Sequence, residues 1–190
     1  VGLPDSAVKE SQQRIKAAFM NNNLRYPGKE ITINMAPADI RKEGSVFDLP
    51  IAIGLLAASE QLKSDQLKDY VIMGELSLDG ELKSLNGVLP IAIKAYKEGF
   101  KGIILPKENA KEAAMVNGLK VYSAENLMEV VNFFNNKCEL EQITIDIEKE
   151  FEHALDIFDV DFKDVKGQLN IKRAFEIAAA GGHNVILVGP

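Results

Sequence analysis

The sequence is poor in the residues that staple or metallate small folds. Its single cysteine, Cys138, has no partner for an internal disulfide, and with only two histidines, His153 and His183, it cannot complete a four-ligand zinc site. A reducing, cytoplasmic compartment is therefore expected. No run of about 18 apolar residues occurs, which argues against a membrane-spanning helix and a membrane partner. The opening VGLPDSAVKES lacks the charged and apolar regions of a signal peptide, so an unexported chain is expected. Internal repeats and low-complexity tracts are absent as well. Positive charge is also short: 22 basic residues against 28 acidic leave a net charge of −6, which argues against a strongly basic nucleic-acid surface and leaves room only for a local patch.

What is present is a chain of 190 residues, 46% apolar, long enough to bury a core without staples and to form one or two domains. Its acidity is concentrated. Residues 138–165 hold ten acidic and two basic side chains, so the rest of the chain is slightly basic. That segment reads either as a solvated linker or as a docking segment for a basic partner. Residues 1–42 hold seven basic and four acidic side chains. Arg14, Lys16, Arg25, Lys29, Arg41 and Lys42 are either a DNA-facing patch or scattered solvated positions.

Periodicity places the elements. Residues 5–20 read as a helix capped by Asp5 or Ser6, with Val8, Ile15 and Phe19 on one face, ended by Asn21-Asn22-Asn23. ITINM alternates Ile31, Ile33 and Met35, as a strand with one buried face does. DLPIAIGLLAASEQL predicts a deeply buried helix with Asp48 as N-cap. YVIM reads as a strand covered on both faces, and GELSLDGELK as a hairpin turning at Asp79-Gly80. Helix and strand then alternate through a helix near Val88–Glu98, the strand KGIILP, the helix KENAKEAAMV, the strand KVYSA and the helix ENLMEVVNFFNN. This order predicts an α/β fold (α+β layered), a mixed sheet packed by helices, over residues 1–135. Residues 136–160 read as an acidic linker. Residues 161–190 open a second domain with the helix GQLNIKRAFEIAAAGG and the strand NVILVGP.

Two stretches carry chemistry by resemblance. DFKDVKGQLNIKRAFEIAAAGGHNVILVGP is similar to the opening of the ATPase domain in the magnesium-chelatase-like AAA+ family, which continues into a phosphate-binding loop. The resemblance implies that Val165, Gly167 and Gln168 lie beside the adenine base, and that Gly189 and Pro190 begin the phosphate loop. It also implies ATP and Mg²⁺ as cofactors of the intact protein, with none expected on this stretch alone, because the lysine and Ser/Thr of the loop are not in it. GELSLDGELKSLNGVLPIAIKAYKEGFKGIILPKENAKE and EGSVFDLPIAIGLLAAS resemble the proteolytic domain of Lon proteases. Those enzymes use a serine whose proton is taken by a lysine kept neutral by burial.

The Lon resemblance departs from its pattern where the chemistry would lie. Aligned without gaps, the serine position falls on Ile51 and the lysine position on Leu89. Neither side chain can attack a carbonyl or accept a proton, so no catalytic and no metal-binding residue is assigned. A compensating pair, Ser45 with Lys94, is the remaining route to a peptidase; their simpler roles are helix capping and a solvated helical position. A Lon-like domain without its dyad, followed by a magnesium-chelatase-like ATPase, resembles the bacterial ComM/YifB family, as do IRKEGSVFDLPIA and VGLPDSAVKES. The resemblance implies that both ends of the chain are truncated. It also implies a ring-forming homo-oligomeric motor associated with DNA branch migration in transformation. A Ser/Lys peptidase and a metal-chelatase motor subunit are the alternatives.

Overall fold

The computed structural model describes residues 6–35, 42, 44–146 and 162–189. The chain divides into two compact units, Val1–Ile145 and Asp146–Pro190. The first is built around strand β4, Gly102–Pro106, in which every residue is buried. An apolar run of this kind suits a strand covered on both faces. It pairs in parallel with β1, Tyr70–Ile72, on one side and with β5, Lys120–Ala124, on the other. Strand β6, Glu141–Ile143, joins β5 antiparallel, giving the order β1-β4-β5-β6. A separate hairpin pairs β2, Glu75–Leu76, with β3, Leu82–Lys83.

The two-residue period of β4 divides the core into two faces. Ile104 joins a cluster with α1 (Ser6–Asn21), α2 (Asp48–Ala58) and α5 (Leu127–Phe134), through Ile15, Phe19, Leu49, Leu56 and Val130. Ile103 and Leu105 join the opposite cluster with α3 (Val88–Lys97) and α4 (Lys107–Ala114), through Val88, Ala92, Ala110 and Ala113. Helices thus cover both faces of a mixed sheet, the layered α/β fold expected. Gly102 is required by strand spacing, since a Cβ there would lie 2.7 Å from the Lys120 carbonyl oxygen.

Local chemistry explains the ends. Asn126 caps α5 by accepting the Glu129 N–H at 3.0 Å, and the Glu129 carboxylate takes the Glu125 N–H at 2.8 Å, a reciprocal capping box. The β2–β3 loop closes with the Gly80 N–H on the Ser77 carbonyl at 3.0 Å, and Gly80 takes φ of +87°. The asparagines that end α1 also hold this loop. Asn21 and Asn22 donate to the carbonyls of Leu78 and Asp79 at 2.9 and 2.8 Å.

Four expectations are corrected. Residues 31–35 form no strand, because no described strand pairs with them. Asp48 is not an N-cap: Phe47 occupies that position without a side-chain cap bond, and the Asp48 carboxylate is engaged elsewhere. The acidic stretch is not connector throughout, since residues 141–143 form the edge strand β6, where one face and one edge stay open to water and polar residues are tolerated. Residues 184–189 form no strand either, and Ile186 and Val188 are 86% and 91% exposed; a strand without a ladder partner has nothing to bury its side chains against. The remainder of the predicted linker, residues 147–160, lies outside the described residues. In the second unit a 3₁₀ turn at Phe162–Asp164 leads to α6, Leu169–Gly181.

An aromatic cluster at the β1 edge supplies a pH-dependent signal. The Tyr70 ring meets Tyr122, Phe133 and Phe134 at centroid distances of 5.9, 5.7 and 5.8 Å. Burial pushes its hydroxyl pKa above 10, Tyr122 adds to the rise and Lys101 opposes it. The folded state therefore prefers the neutral phenol. This contribution is complete below the unfolded pKa of about 10 and is lost as pH rises through the higher folded value. Between pH 9 and 11 the wild-type chain should lose more stability, by urea midpoint, than Tyr70→Phe. Equal losses would refute the assignment.

Candidate functional site

The start of α2 is where the Lon-like serine position falls. Leu49 anchors it by donating its N–H to the Gly74 carbonyl at 2.9 Å, tying the helix to the strand end after β1. Ile51 is half-buried and packs on the core of the α1/α2 face. It also lines a cleft of about 800 Å³ between α2 and the extended backbone of residues 27–34. Leu89 lies in the first turn of α3, where its N–H donates to the Glu112 carboxylate at 2.9 Å. The two positions therefore carry side chains used for packing.

The alternative pair is not assembled. Ser45 donates its hydroxyl to the Glu75 carboxylate. Lys94 is 72% exposed and pairs with Glu98, one turn along α3, at 2.5 Å. A lysine kept charged by a carboxylate in water is unsuited to take a proton from serine.

The polar centre beside α2 is one that sequence reasoning missed. Asp48 is fully buried, and Arg14 of α1 grips it with Nε at 2.7 Å and Nη2 at 3.0 Å. The Leu76 N–H donates to the same carboxylate at 3.3 Å. The hydrogen bond to Asp48 is the main cause raising the Arg14 pKa, against the lowering effect of burial. One carboxylate thus joins α1, α2 and β2. The signal was in the spacing, because residues 11, 14, 15 and 18 form one stripe of a helix and Ser11, Ile15 and Ala18 are buried.

This arrangement also breaks up the basic patch. Arg14 is turned onto Asp48 and Lys42 is buried, while Arg41 lies outside the described residues. Lys16, Arg25 and Lys29 remain exposed.

In the second unit, Val165 is 45% exposed, and Gly167 and Gln168 take left-handed φ of +72° and +54° immediately before α6. That turn presents backbone beside an apolar side chain, a combination that suits the edge of a nucleobase. Gly189 is exposed and Pro190 lies outside the described residues. His183 is a junction residue: its N–H donates to the Ala178 carbonyl at 2.8 Å and its ring folds over Gly181. Among the described residues no group of three His, Cys, Asp or Glu side chains could hold a metal ion, and no helix is long and apolar enough to cross a membrane. Cys138 is exposed.

Comparison with known proteins places these features together. The family described as subunit ChlI of Mg-chelatase matches residues 1–109, and a second, described as magnesium chelatase, subunit ChlI, matches residues 161–190. The chain belongs to the ComM/YifB family of magnesium-chelatase-like proteins. Along its whole length it is 44% identical to competence protein ComM of Haemophilus influenzae and 45% identical to YifB of Escherichia coli. It spans 37% and 36% of the length of these two relatives. Lon protease 2 of Bacillus subtilis is 26% identical over 148 residues, 76% of this chain and 26% of that protein. In this ComM/YifB chain the Lon-like similarity thus accompanies an apolar pair at the aligned dyad positions.

Proposed function

We propose that this chain is part of an ATP-driven motor that acts on DNA, and that its first unit is a binding or assembly module without peptidase chemistry. The observation that carries this reading is the pair Ile51 and Leu89 at the aligned serine and lysine positions, together with the separate engagement of Ser45 by Glu75 and of Lys94 by Glu98. A peptidase of this type needs a hydroxyl and a neutral amine within hydrogen-bond reach. The DNA role is supported by likeness to a competence protein and by nothing in the charge of this chain.

ATP and Mg²⁺ enter through the intact protein. Val165, Gly167 and Gln168 suit the base, Gly189 and Pro190 the start of the phosphate loop; bound ATP would supply the energy of phosphoryl transfer. We read the intact protein as a cytoplasmic homo-oligomeric ring. A metal-insertion motor subunit is the second reading, favoured by the family description that matches both ends of the chain.

ATP hydrolysis by the intact protein separates these readings. It should rise several-fold with a four-way DNA junction, and a serine-reactive probe should label no residue of the first unit. Hydrolysis indifferent to every DNA tried would remove the DNA reading. Labelling of Ser45 that is lost in Lys94→Ala would restore the peptidase.

A further inference from the structure

The cleft along α2 has an apolar floor of Pro50, Ile51, Gly54, Leu55 and Ala58. A Cβ built on Gly54 meets nothing within 4 Å, so the helix offers bare backbone there, although glycine is a poor helix former. The facing wall is extended chain that alternates Ile31 and Ile33 with Thr32 and Asn34. Successive residues of an extended chain aim their N–H and C=O groups at opposite edges. Ile33 is already engaged in a contact, whereas Thr32 and Asn34 hydrogen-bond no described residue. An open ladder edge above an apolar floor is a template for strand addition.

We propose that a β-strand from the part of the intact protein outside residues 1–190 adds to the edge at Thr32 and Asn34 and lays its apolar face over Ile51 and Leu55. Three observations select this occupant. The period of ITINM is that of a strand, yet no described strand pairs with it. Relatives that match the whole chain carry more than half their length outside the match, so a tethered strand is at high effective concentration compared with a second copy. The rim carries Arg25, Lys29 and Glu30, of mixed sign, which gives no field to select a charged ligand such as nucleic acid. This inference does not depend on the proposed motor function.

Amide hydrogen exchange tests it, measured on the intact protein and on residues 1–190. The Thr32 and Asn34 amides should be protected by ~100-fold or more in the intact protein at every protein concentration, and should exchange near free-peptide rates in the shorter chain. Fast exchange in both would overturn the proposal. So would equal protection in both, which places the occupant within residues 1–190, or protection that grows with concentration, which makes it a second copy. In the intact protein Gly54→Ala should keep the protection. Gly54→Trp, which fills the cleft, should reduce it at least ~10-fold while the β4 amides keep theirs. Unchanged protection in Gly54→Trp also overturns the proposal. Should that variant fail to fold, the wild-type comparison alone decides.

Discussion

Asp48→Ala should lower the unfolding free energy of the chain by about 3–5 kcal/mol, as expected when one partner of a buried ion pair is removed. The size of the effect comes from what stays behind. Arg14, whose side chain is 20% exposed, would keep its charge with the bidentate partner gone, and the Leu76 N–H would lose its acceptor. The exposed pairs Lys94–Glu98 and Lys107–Glu125 offer a contrast, since breaking either should cost less than about 1 kcal/mol. A double variant, Arg14→Met with Asp48→Leu, should recover most of the loss because no charge then remains buried. The unpaired Leu76 N–H would still cost about 1–3 kcal/mol. Urea titration measures all four. If Asp48→Ala costs no more than the exposed pairs, the carboxylate does not join α1, α2 and β2 in the way described.

Phe19→Ala is the second large effect, about 3–5 kcal/mol. The ring is fully buried and meets Tyr26 edge-on at 5.9 Å. It packs in the cluster that holds Ile15, Leu49, Leu56 and Ile104 together, so its removal leaves a cavity between α1, α2 and the sheet. Met20, the next residue on α1, is 67% exposed, and Met20→Ala should change stability by less than about 0.5 kcal/mol. Comparable losses for the two would mean that α1 does not dock as described.

Much of this layout was legible before any coordinate. The apolar runs of β4 and α2, the alternation around β2 and β3, and the helix stops at Gly99 and Asn21-Asn22-Asn23 mark elements through local propensity and period, and these need no knowledge of neighbours. The loss of the Lon-like dyad was legible too, because Ile51 and Leu89 lack the necessary atoms in any fold. Arg14 was harder to place. An arginine on a helix is ordinarily solvated, and only the approach of Asp48, 34 residues away, gives it a reason to be inside. ITINM failed in the opposite sense, since its pattern states which face would be buried but not what would bury it.

The amino-acid order by itself determined which segments are helices or strands, which residues make the two apolar faces, and that no serine or lysine stands at the aligned dyad positions. These follow from side-chain chemistry and from periods that act within a few residues. Tertiary structure alone decided that Asp48 serves as a buried anchor instead of a cap, that Ser45 and Lys94 are held by different carboxylates, and that the backbone at Thr32 and Asn34 is left open over α2. Each of these depends on which distant groups meet, and a hydrogen bond or ion pair has no energy until its partner arrives.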